Sequence, residues 1–146
     1  MIIFLDFDGV LHELDRSMGL FSCEVHLAHV LRDYPHVEIV VSSAWREEHT
    51  LKYIQAFFLT DLKTRIVGAT PIHEIRDAGD VAGSRYREIL AYLGDSGADW
   101  LAIDDDALLF PPGCAGLILC ADGFKYAEEI ALRTALEKFE ADHEHD

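Results

Sequence analysis

Short apolar runs alternate with amphipathic stretches along this chain. The runs are only a few residues long and have no regular polar positions, which is typical of strands buried on both faces of a sheet. Between them, apolar residues recur at helical spacing, as in Leu27, Val30, Leu31 and Tyr34. Strands are predicted at 2–7, 37–41, 65–67, 100–103 and 116–120. Helices are predicted at 22–34, 44–59, 84–93 and 126–139.

This alternation predicts the fold class and the domain organisation. Buried strands separated by helices favour an α/β domain, Rossmann-like, with a five-stranded and mainly parallel sheet covered by helices on both faces. The polar segment 72–83 contains two glycines and is expected to be a loop. In a chain of 146 residues, 1–140 are expected to form one domain and 141–146 a flexible tail rich in acidic residues and His.

Composition and charge exclude several classes of protein. Half of the residues are hydrophobic and 27% are charged, which is an ordinary globular composition. The net charge of −15 disfavours a general binder of nucleic acid or anionic membranes. The three cysteines lack the spacing of a disulfide framework or a zinc site, so reduced thiols are expected. With no signal peptide and no apolar run of membrane-spanning length, we expect a cytoplasmic protein without a membrane partner.

Polar side chains follow three of the predicted strands at the point where each strand ends. Asp6 and Asp8 close the first strand, Ser42 and Ser43 the second, and 104–106, all Asp, the fourth. Ligands of parallel α/β sheets bind at the carboxyl ends of the strands, near the point where the strand order reverses. The sequence therefore predicts an active site at this edge, with Ser43 a candidate cap for the helix that follows.

Crowded carboxylates at one edge indicate metal-assisted phosphate chemistry. An Asp inside an apolar strand is costly without a partner, so Asp6 is better explained by function than by structure. Several carboxylates together require a cation, and hard oxygen ligands without His or Cys favour Mg²⁺. An Asp carboxylate can also act as a nucleophile and form an aspartyl-phosphate. Ser42 and a fixed cationic side chain would then bind the phosphate.

These motifs together resemble those of the haloacid dehalogenase (HAD) superfamily of Mg²⁺-dependent phosphohydrolases. The matching segments are FLDFDGVL at 4–11, IVVSS at 39–43, a basic residue early in the 84–93 helix, and LAIDDD at 101–106. More narrowly, SSAWRE at 42–47 and RYREILAYL at 85–93 are similar to the small HAD domains found alone or fused within bacterial RNA-repair proteins. The resemblance implies a HAD-like phosphatase domain.

The resemblance also implies roles for individual residues. Asp6 would be the nucleophile and a Mg²⁺ ligand. Asp8 would protonate the leaving oxygen and then serve as the base for water, with its backbone carbonyl on the metal. Ser42 would hydrogen-bond the phosphoryl group. Asp104 and Asp105 would complete the metal shell, directly or through water.

The third motif departs from the usual Lys of the superfamily. Arg85 and Arg87 are both candidates to replace it, and Arg85 is preferred because it lies nearer the start of the helix. Arg46 is a second candidate phosphate contact. The segment GDSGAD at 94–99 imitates the fourth motif, but it follows a helix instead of a strand, so Asp95 is expected to be a turn residue.

The spacing of the motifs leaves no room for an inserted cap domain. The gap 9–41 already holds a helix and a strand, so only a short flap near 10–22 is expected over the site. An open site would admit a phosphorylated small molecule, a nucleotide or a polynucleotide end, unless another subunit of a homo-oligomer closes it. The predicted function is Mg²⁺-dependent hydrolysis of a phosphomonoester. The alternative is a catalytically weak HAD-fold binding or regulatory module, since the usual Lys is missing.

Overall fold

The computed structural model describes residues 1–144 and has the alternating order of strands and helices that the sequence predicts. The strands are β1 Ile2–Leu5, β2 Glu38–Val41, β3 Ile66–Ala69, β4 Trp100–Asp104 and β5 Leu117–Leu119. The α-helices are α1 Glu24–Leu31, α2 Leu51–Gln55, α3 Thr60–Lys63, α4 Ser84–Leu93 and α5 Tyr126–Glu144. Short 3₁₀ turns cover Ala44–Glu47, Ala78–Asp80 and Ala107–Leu109.

The five strands form one sheet in the order β3-β2-β1-β4-β5, and every neighbouring pair is parallel. The chain first builds outward from β1 through β2 to β3, and then crosses to the other side for β4 and β5. The strand order therefore reverses between β1 and β4, and this is where a ligand site is expected in such a sheet. The predicted α/β fold class is confirmed, and the sheet is entirely parallel.

Both faces of the sheet are covered, because successive side chains of a strand point to opposite faces. Ile3 and Leu5 of β1 belong to the larger hydrophobic core, which includes Leu132 of α5. Phe4 belongs to a smaller core on the other face, together with Ile89 of α4. All five of these side chains are fully buried. The sheet is thus held from both sides, and its carboxyl edge is a rigid platform.

The predicted helix 44–59 is interrupted. A 3₁₀ turn and α2 occupy this region instead, and α3 begins directly after it. Thr50 starts α2 anew, since its side chain accepts a hydrogen bond from the backbone N–H of Tyr53 at 3.1 Å. Leu59 has extended backbone angles and separates α2 from α3. The prediction of a single helix over 44–59 is therefore wrong, because capping at Thr50 restricts the α-helix in this region to Leu51–Gln55.

The C-terminal helix is longer than predicted. Helix α5 continues to Glu144, so residues 141–144 of the expected tail are helical. The ring of His143 lies 2.5 Å from the carboxylate of Asp99 and links the last turn of α5 to the loop before β4. Residues 145–146 of the expected tail lie outside the described residues.

Other expectations concern insertions, membranes and cysteines. Across residues 1–144, the connections between the strands hold only turns and short helices, and no cap domain is inserted. No helix in this range combines the length and the apolar character needed to cross a membrane. Cys23, Cys114 and Cys120 form no disulfide, as predicted, and two of them are buried.

Candidate active site

The register of the sheet sets three polar residues side by side. The backbone N–H of Asp6 donates to the carbonyl of Ile103 at 3.1 Å, and that of Ser42 donates to the carbonyl of Leu5 at 3.0 Å. Asp104 directly follows Ile103 at the end of β4. The ends of three adjacent strands therefore meet at the point where the strand order reverses.

Three carboxyl groups converge at this edge, and we call Asp6, Asp104 and Asp105 the inner carboxylate cluster. One carboxylate oxygen of each lies within 4.8 Å of the others. Asp6 and Asp104 are buried. A terminal guanidinium nitrogen of Arg85 lies 2.7 Å from Asp104 Oδ2 and 3.2 Å from Asp6 Oδ1. The cluster therefore already contacts one cationic side chain.

Burial and mutual repulsion dominate the electrostatics of the cluster. Burial, followed by the charge of Asp104, raises the pKa of Asp6 well above its usual value, and Arg85 offsets only part of this. Burial also raises the pKa of Asp104 despite the same arginine. Burial alone would lower the pKa of Arg85, but the two carboxylates outweigh it and the pKa is raised. One guanidinium does not balance three carboxyl groups, so the cluster favours a further cation.

The donor set fits Mg²⁺. The cluster offers carboxylate oxygens from two strand ends and no His or Cys, which is the ligand chemistry that hard divalent cations prefer. Gly9 makes the close approach of Asp105 feasible, because a Cβ at this glycine would lie only 2.2 Å from Asp105 Oδ2. Gly9 also has a φ of 79°, which other residues adopt at a cost.

Asp8 lies two residues beyond Asp6, but in a different environment. Its Oδ1 accepts hydrogen bonds from His12 Nε2 at 2.7 Å and Arg16 at 2.9 Å, and its Oδ2 accepts one from the indole N–H of Trp45 at 3.2 Å. Burial alone would raise the pKa of Asp8, but the bonds from His12, Arg16 and Trp45 outweigh it and lower the pKa. Asp8 is therefore held as an oriented carboxylate.

The hydrogen bonds of His12 assign its tautomer. The backbone N–H of Phe21 can only donate, and it donates to His12 Nδ1 at 3.3 Å, so Nδ1 carries no proton. The proton is then on Nε2, which donates to Asp8. His12 is completely buried. Sequence reasoning did not include His12 among the site residues; its place four residues after Asp8, directly behind the first motif, was the available signal.

The two serines at the end of β2 have different neighbours. Ser43 accepts a hydrogen bond from the backbone N–H of Trp45 at 3.2 Å and caps the 3₁₀ turn, in agreement with the sequence analysis. Ser42 is 1% exposed and lies next to β1 at the sheet edge. The contact of Ser42 with phosphate stays a prediction.

The first turn of α4 contains two arginines, Arg85 and Arg87, whose side chains contact different groups. Arg85 reaches the inner carboxylate cluster. Arg87 instead donates to the backbone carbonyls of Asp80 and Ala82 in the preceding loop. Of the two candidates for the third motif, the structure brings Arg85 to the site.

The side chain of Arg46 links two loops in this structure. Its guanidinium donates from all three nitrogens, and its side chain is 6% exposed. The acceptors are the backbone carbonyls of Ser42, Ser43, Thr70 and Pro71 and the carboxylate of Glu88. These contacts occupy its five N–H groups, so the geometry does not favour the phosphate contact that the sequence analysis expected of Arg46.

Two further acidic residues lie outside the cluster. Asp106 accepts a hydrogen bond from the backbone N–H of Leu108 at 3.0 Å and caps the 3₁₀ turn after β4. Asp95 follows the C-cap Gly94 of α4 and lies in a loop before β4, as expected for a turn residue.

A cavity of about 420 Å³ opens beside Asp8, and we call it the outer pocket. Besides Asp8, its walls include the side chains of Arg16, Trp45, His49, Tyr53 and Phe57. Trp45 therefore both bonds Asp8 and lines the pocket. The outer pocket is continuous with the functional edge of the sheet through Asp8.

The comparisons with known proteins agree with this arrangement. A family described as the HAD domain in Swiss Army Knife RNA repair proteins matches residues 2–124, a range that contains Asp6, Asp8, Ser42, Arg85 and 104–105. Searches of curated proteins and of solved structures found no match. Together, the parallel sheet, the acidic strand ends and the match over most of the chain show that it belongs to the family of HAD domains in Swiss Army Knife RNA repair proteins.

Proposed function

We propose that this HAD-type domain is a Mg²⁺-dependent phosphomonoester hydrolase that works through an aspartyl-phosphate on Asp6. The observation that carries the proposal is the inner carboxylate cluster at the reversal of strand order, with Arg85 against it. The membership in a phosphatase-type superfamily supports the reaction class. The alternative of a weak binding module rested on the missing Lys, and Arg85 supplies a cation in contact with the cluster.

The inner carboxylate cluster would hold the metal. Asp6, Asp104 and Asp105 supply carboxylate oxygens, and the backbone carbonyl of Asp8 is the further ligand that the family resemblance implies. Bound Mg²⁺ would neutralise charge on the phosphoryl oxygens and help to orient them. The bond-breaking and proton-transfer steps are proposed to be carried out by the side chains of Asp6 and Asp8.

In the first half-reaction, a carboxylate oxygen of Asp6 attacks phosphorus as the bond to the leaving oxygen breaks. Asp8 first takes up a proton as the anionic phosphate binds beside it, and then gives this proton to the leaving oxygen, so the leaving group departs as an alcohol. In the second half-reaction, the Asp8 carboxylate takes a proton from water as the water attacks the aspartyl-phosphate. Phosphate leaves, Asp8 releases that proton to solvent, and Asp6 and Asp8 are again carboxylates.

Arg85 and Ser42 are proposed to hold the transferring phosphoryl group. Within residues 1–144, the Nε of Arg85 is buried without a hydrogen-bond partner, although its terminal nitrogen contacts two carboxylates. A buried donor without a partner is costly, and a phosphoryl oxygen would satisfy it. Ser42 lies at the adjacent strand end and would supply a hydroxyl donor.

The substrate is proposed to be a phosphorylated small molecule or a polynucleotide end. The connections around the site carry no cap domain in the described part of the chain, so a bulky leaving group can approach. Asp8 is 36% exposed and lies on the side from which such a group would enter.

Hydrolysis of p-nitrophenyl phosphate tests the reaction class. We expect activity that depends on Mg²⁺ and falls by about 10⁴-fold or more in Asp6→Asn, since loss of a covalent nucleophile has effects of this order. Asp95→Asn is the matched control, because Asp95 lies in a loop away from the cluster, and it should keep wild-type activity. Full activity in Asp6→Asn, or activity equal in EDTA, would contradict the proposal.

The covalent intermediate can be observed directly. Crystals soaked with beryllofluoride and Mg²⁺ should show the adduct on a carboxylate oxygen of Asp6. An adduct on Asp8, or none on either residue with Mg²⁺ bound, would overturn the assignment of the nucleophile. Mg²⁺ binding without turnover of any phosphomonoester would instead indicate the binding module.

A further inference from the structure

The outer pocket adjoins Asp8, which is proposed to protonate the leaving oxygen and forms part of the pocket wall. A group attached to that oxygen therefore extends into or past this cavity. Its volume of about 420 Å³ is within the range of small-molecule sites, roughly 300–1,000 Å³.

Four of the ten residues that line the pocket carry aromatic rings, and these rings contact one another in sequence. The rings of His49 and Tyr53 stack with centroids 4.6 Å apart, Tyr53 contacts Phe57 at 5.3 Å, and Phe57 contacts Trp45 at 5.5 Å. Tyr53 is 50% exposed, which is unusual for a large aromatic side chain. A continuous aromatic surface with an exposed member is suited to stacking a flat heterocyclic ring.

The guanidinium of Arg16 adds a planar cationic group to the lining of the same pocket. Its guanidinium lies 5.7 Å from the centre of the Trp45 ring and also bonds Asp8. The backbone of Arg16 has a φ of 55°, a left-handed conformation that is strained for a residue with a long side chain. Such strain is often found where the chain holds a side chain in place for a ligand.

We infer that the outer pocket binds the base of a nucleoside monophosphate whose phosphate lies at the inner carboxylate cluster. The inference rests on the proposed function for the position of the phosphate, and on the aromatic walls and Arg16 for the nature of the leaving group. The base stacks on the exposed ring of Tyr53, and Trp45 and Arg16, which lie against each other, contact it from the side of Asp8. The substrate is then a single nucleotide.

The charge of the pocket rim favours one nucleotide over a longer chain. Glu47 and Glu48 are exposed and also line the pocket. The protein as a whole carries a net charge of −15. Each additional backbone phosphate beyond the first would enter this negative field without the Mg²⁺ that compensates the reacting phosphate. Repulsion at the rim therefore selects against a polynucleotide.

A binding measurement separates this inference from the proposed reaction. Adenosine and ribose carry no phosphate and cannot be hydrolysed, so their affinities for the wild-type chain, measured by NMR titration, report on the pocket alone. We expect adenosine to bind at least about tenfold more tightly than ribose, the size of one base stacked on an aromatic side chain. Equal binding of the two would overturn the inference even if the protein is an active phosphatase.

Variants of two exposed tyrosines locate the effect. Tyr53→Ala should weaken adenosine binding about tenfold, and Tyr53→Trp should restore it, since stacking requires only an aromatic face. Tyr126→Ala is the matched control, because Tyr126 is 70% exposed at the start of α5 and does not line the pocket. An unchanged affinity in Tyr53→Ala, or an equal loss in Tyr126→Ala, would overturn the assignment.

A comparison of kcat/KM between substrates tests whether the substrate is a single nucleotide. The kcat/KM for adenosine 5′-monophosphate or its 3′ isomer should exceed that for ribose 5-phosphate, and Tyr53→Ala should reduce this ratio about tenfold. A tetranucleotide with a terminal phosphate should be a poorer substrate than the mononucleotides. A tetranucleotide with the higher kcat/KM would show that the pocket serves polynucleotide ends and would overturn this part of the inference. No turnover of any phosphate, with adenosine still bound, would contradict the proposed function alone.

Discussion

The inner carboxylate cluster and the outer pocket begin two residues apart, at Asp6 and Asp8, yet their electrostatics are opposite. Asp6 is 6% exposed among other carboxyl groups, and burial followed by the charge of Asp104 raises its pKa. Asp8 is about a third exposed, and donors from His12, Arg16 and Trp45 lower its pKa against the opposing effect of burial. Both residues are aspartates of the same motif, so the surroundings of each side chain decide the direction in which its pKa is shifted.

The difference follows from where each carboxyl group lies. Parallel strands bring their ends together, so the sheet edge collects like charges with one arginine among them. The turn after β1 has no such constraint and can surround Asp8 with donors from the flap and from the 3₁₀ turn. The cluster therefore favours a further cation, whereas the surroundings of Asp8 orient a single carboxylate.

Among the variants that compare the surroundings of Asp6 and Asp8, the largest effect is expected from removing the cation of the cluster. Arg85→Ala leaves Asp6 and Asp104 without their shared partner and removes the proposed phosphate contact. We expect kcat/KM for p-nitrophenyl phosphate to fall about 100-fold or more, as for loss of a donor that stabilises transition-state charge. Arg87→Ala is the control and should retain activity within about twofold, because Arg87 donates to carbonyls of the preceding loop and not to the cluster. A greater loss in Arg87→Ala would reverse the assignment.

A smaller loss is expected when Asp105 is pushed out of the cluster. Gly9→Ala places a methyl group 2.2 Å from Asp105 Oδ2 and should lower kcat/KM about tenfold, mainly at limiting Mg²⁺. Gly97→Ala separates this clash from backbone strain, because Gly97 also has a positive φ, 65°, but within residues 1–144 no atom apart from its chain neighbours lies within 4 Å of the added carbon. Both variants should lose stability in thermal unfolding. Equal activity of the two would show that Asp105 does not matter.

The fold and the inner carboxylate cluster were largely predictable from the sequence. Runs such as 37–41 have no polar face, so they indicate buried parallel strands, and the rule for strand ends then places Asp6, Ser42 and Asp104 together. The division of the predicted helix 44–59 was not predictable from spacing alone. There, the hydrogen bond of Thr50 competes with an apolar period that continues across the break.

The contacts of individual cations required the structure. Arg85 and Arg87 are separated by about 200° around a helix, so they point to opposite sides, but the sequence does not say which side faces the cluster. Arg46 is next to the second motif, yet its donors are taken by carbonyls from a distant loop. His12 contacts Asp8 only because the turn after β1 folds back on itself.

The role of Asp8 can be tested by changing the leaving group of the substrate. His12→Leu removes the bond that orients Asp8 and should reduce kcat/KM for an alkyl phosphate about tenfold, because an alkoxide leaves only when the proton of Asp8 is correctly placed. The loss for p-nitrophenyl phosphate should be about twofold, since nitrophenolate leaves without help. His12→Gln should recover part of the activity, as its amide can accept from Phe21 and donate to Asp8. Equal losses on both substrates would indicate a merely structural role.

The smallest effect concerns stability, and its sign distinguishes the two carboxylates. A raised pKa means that folded Asp6 binds protons more tightly than unfolded Asp6, so its contribution destabilises the fold progressively as pH rises above about 3.8. Asp8 has the opposite sign: its lowered pKa stabilises the fold above this pH and the stability is lost as pH falls. At pH 7 in EDTA, Asp6→Asn should therefore raise the melting temperature, by about 2–4 °C for each kcal/mol gained.

Asp8→Asn should lower the melting temperature under the same conditions, because three donors lose a charged acceptor. Adding Mg²⁺ should stabilise the wild-type protein through binding to the folded state and remove the advantage of Asp6→Asn. Differential scanning calorimetry of the three proteins with and without Mg²⁺ measures both effects. Shifts of the same sign for Asp6→Asn and Asp8→Asn in EDTA would break the comparison, since the two carboxylates would then affect stability in the same direction.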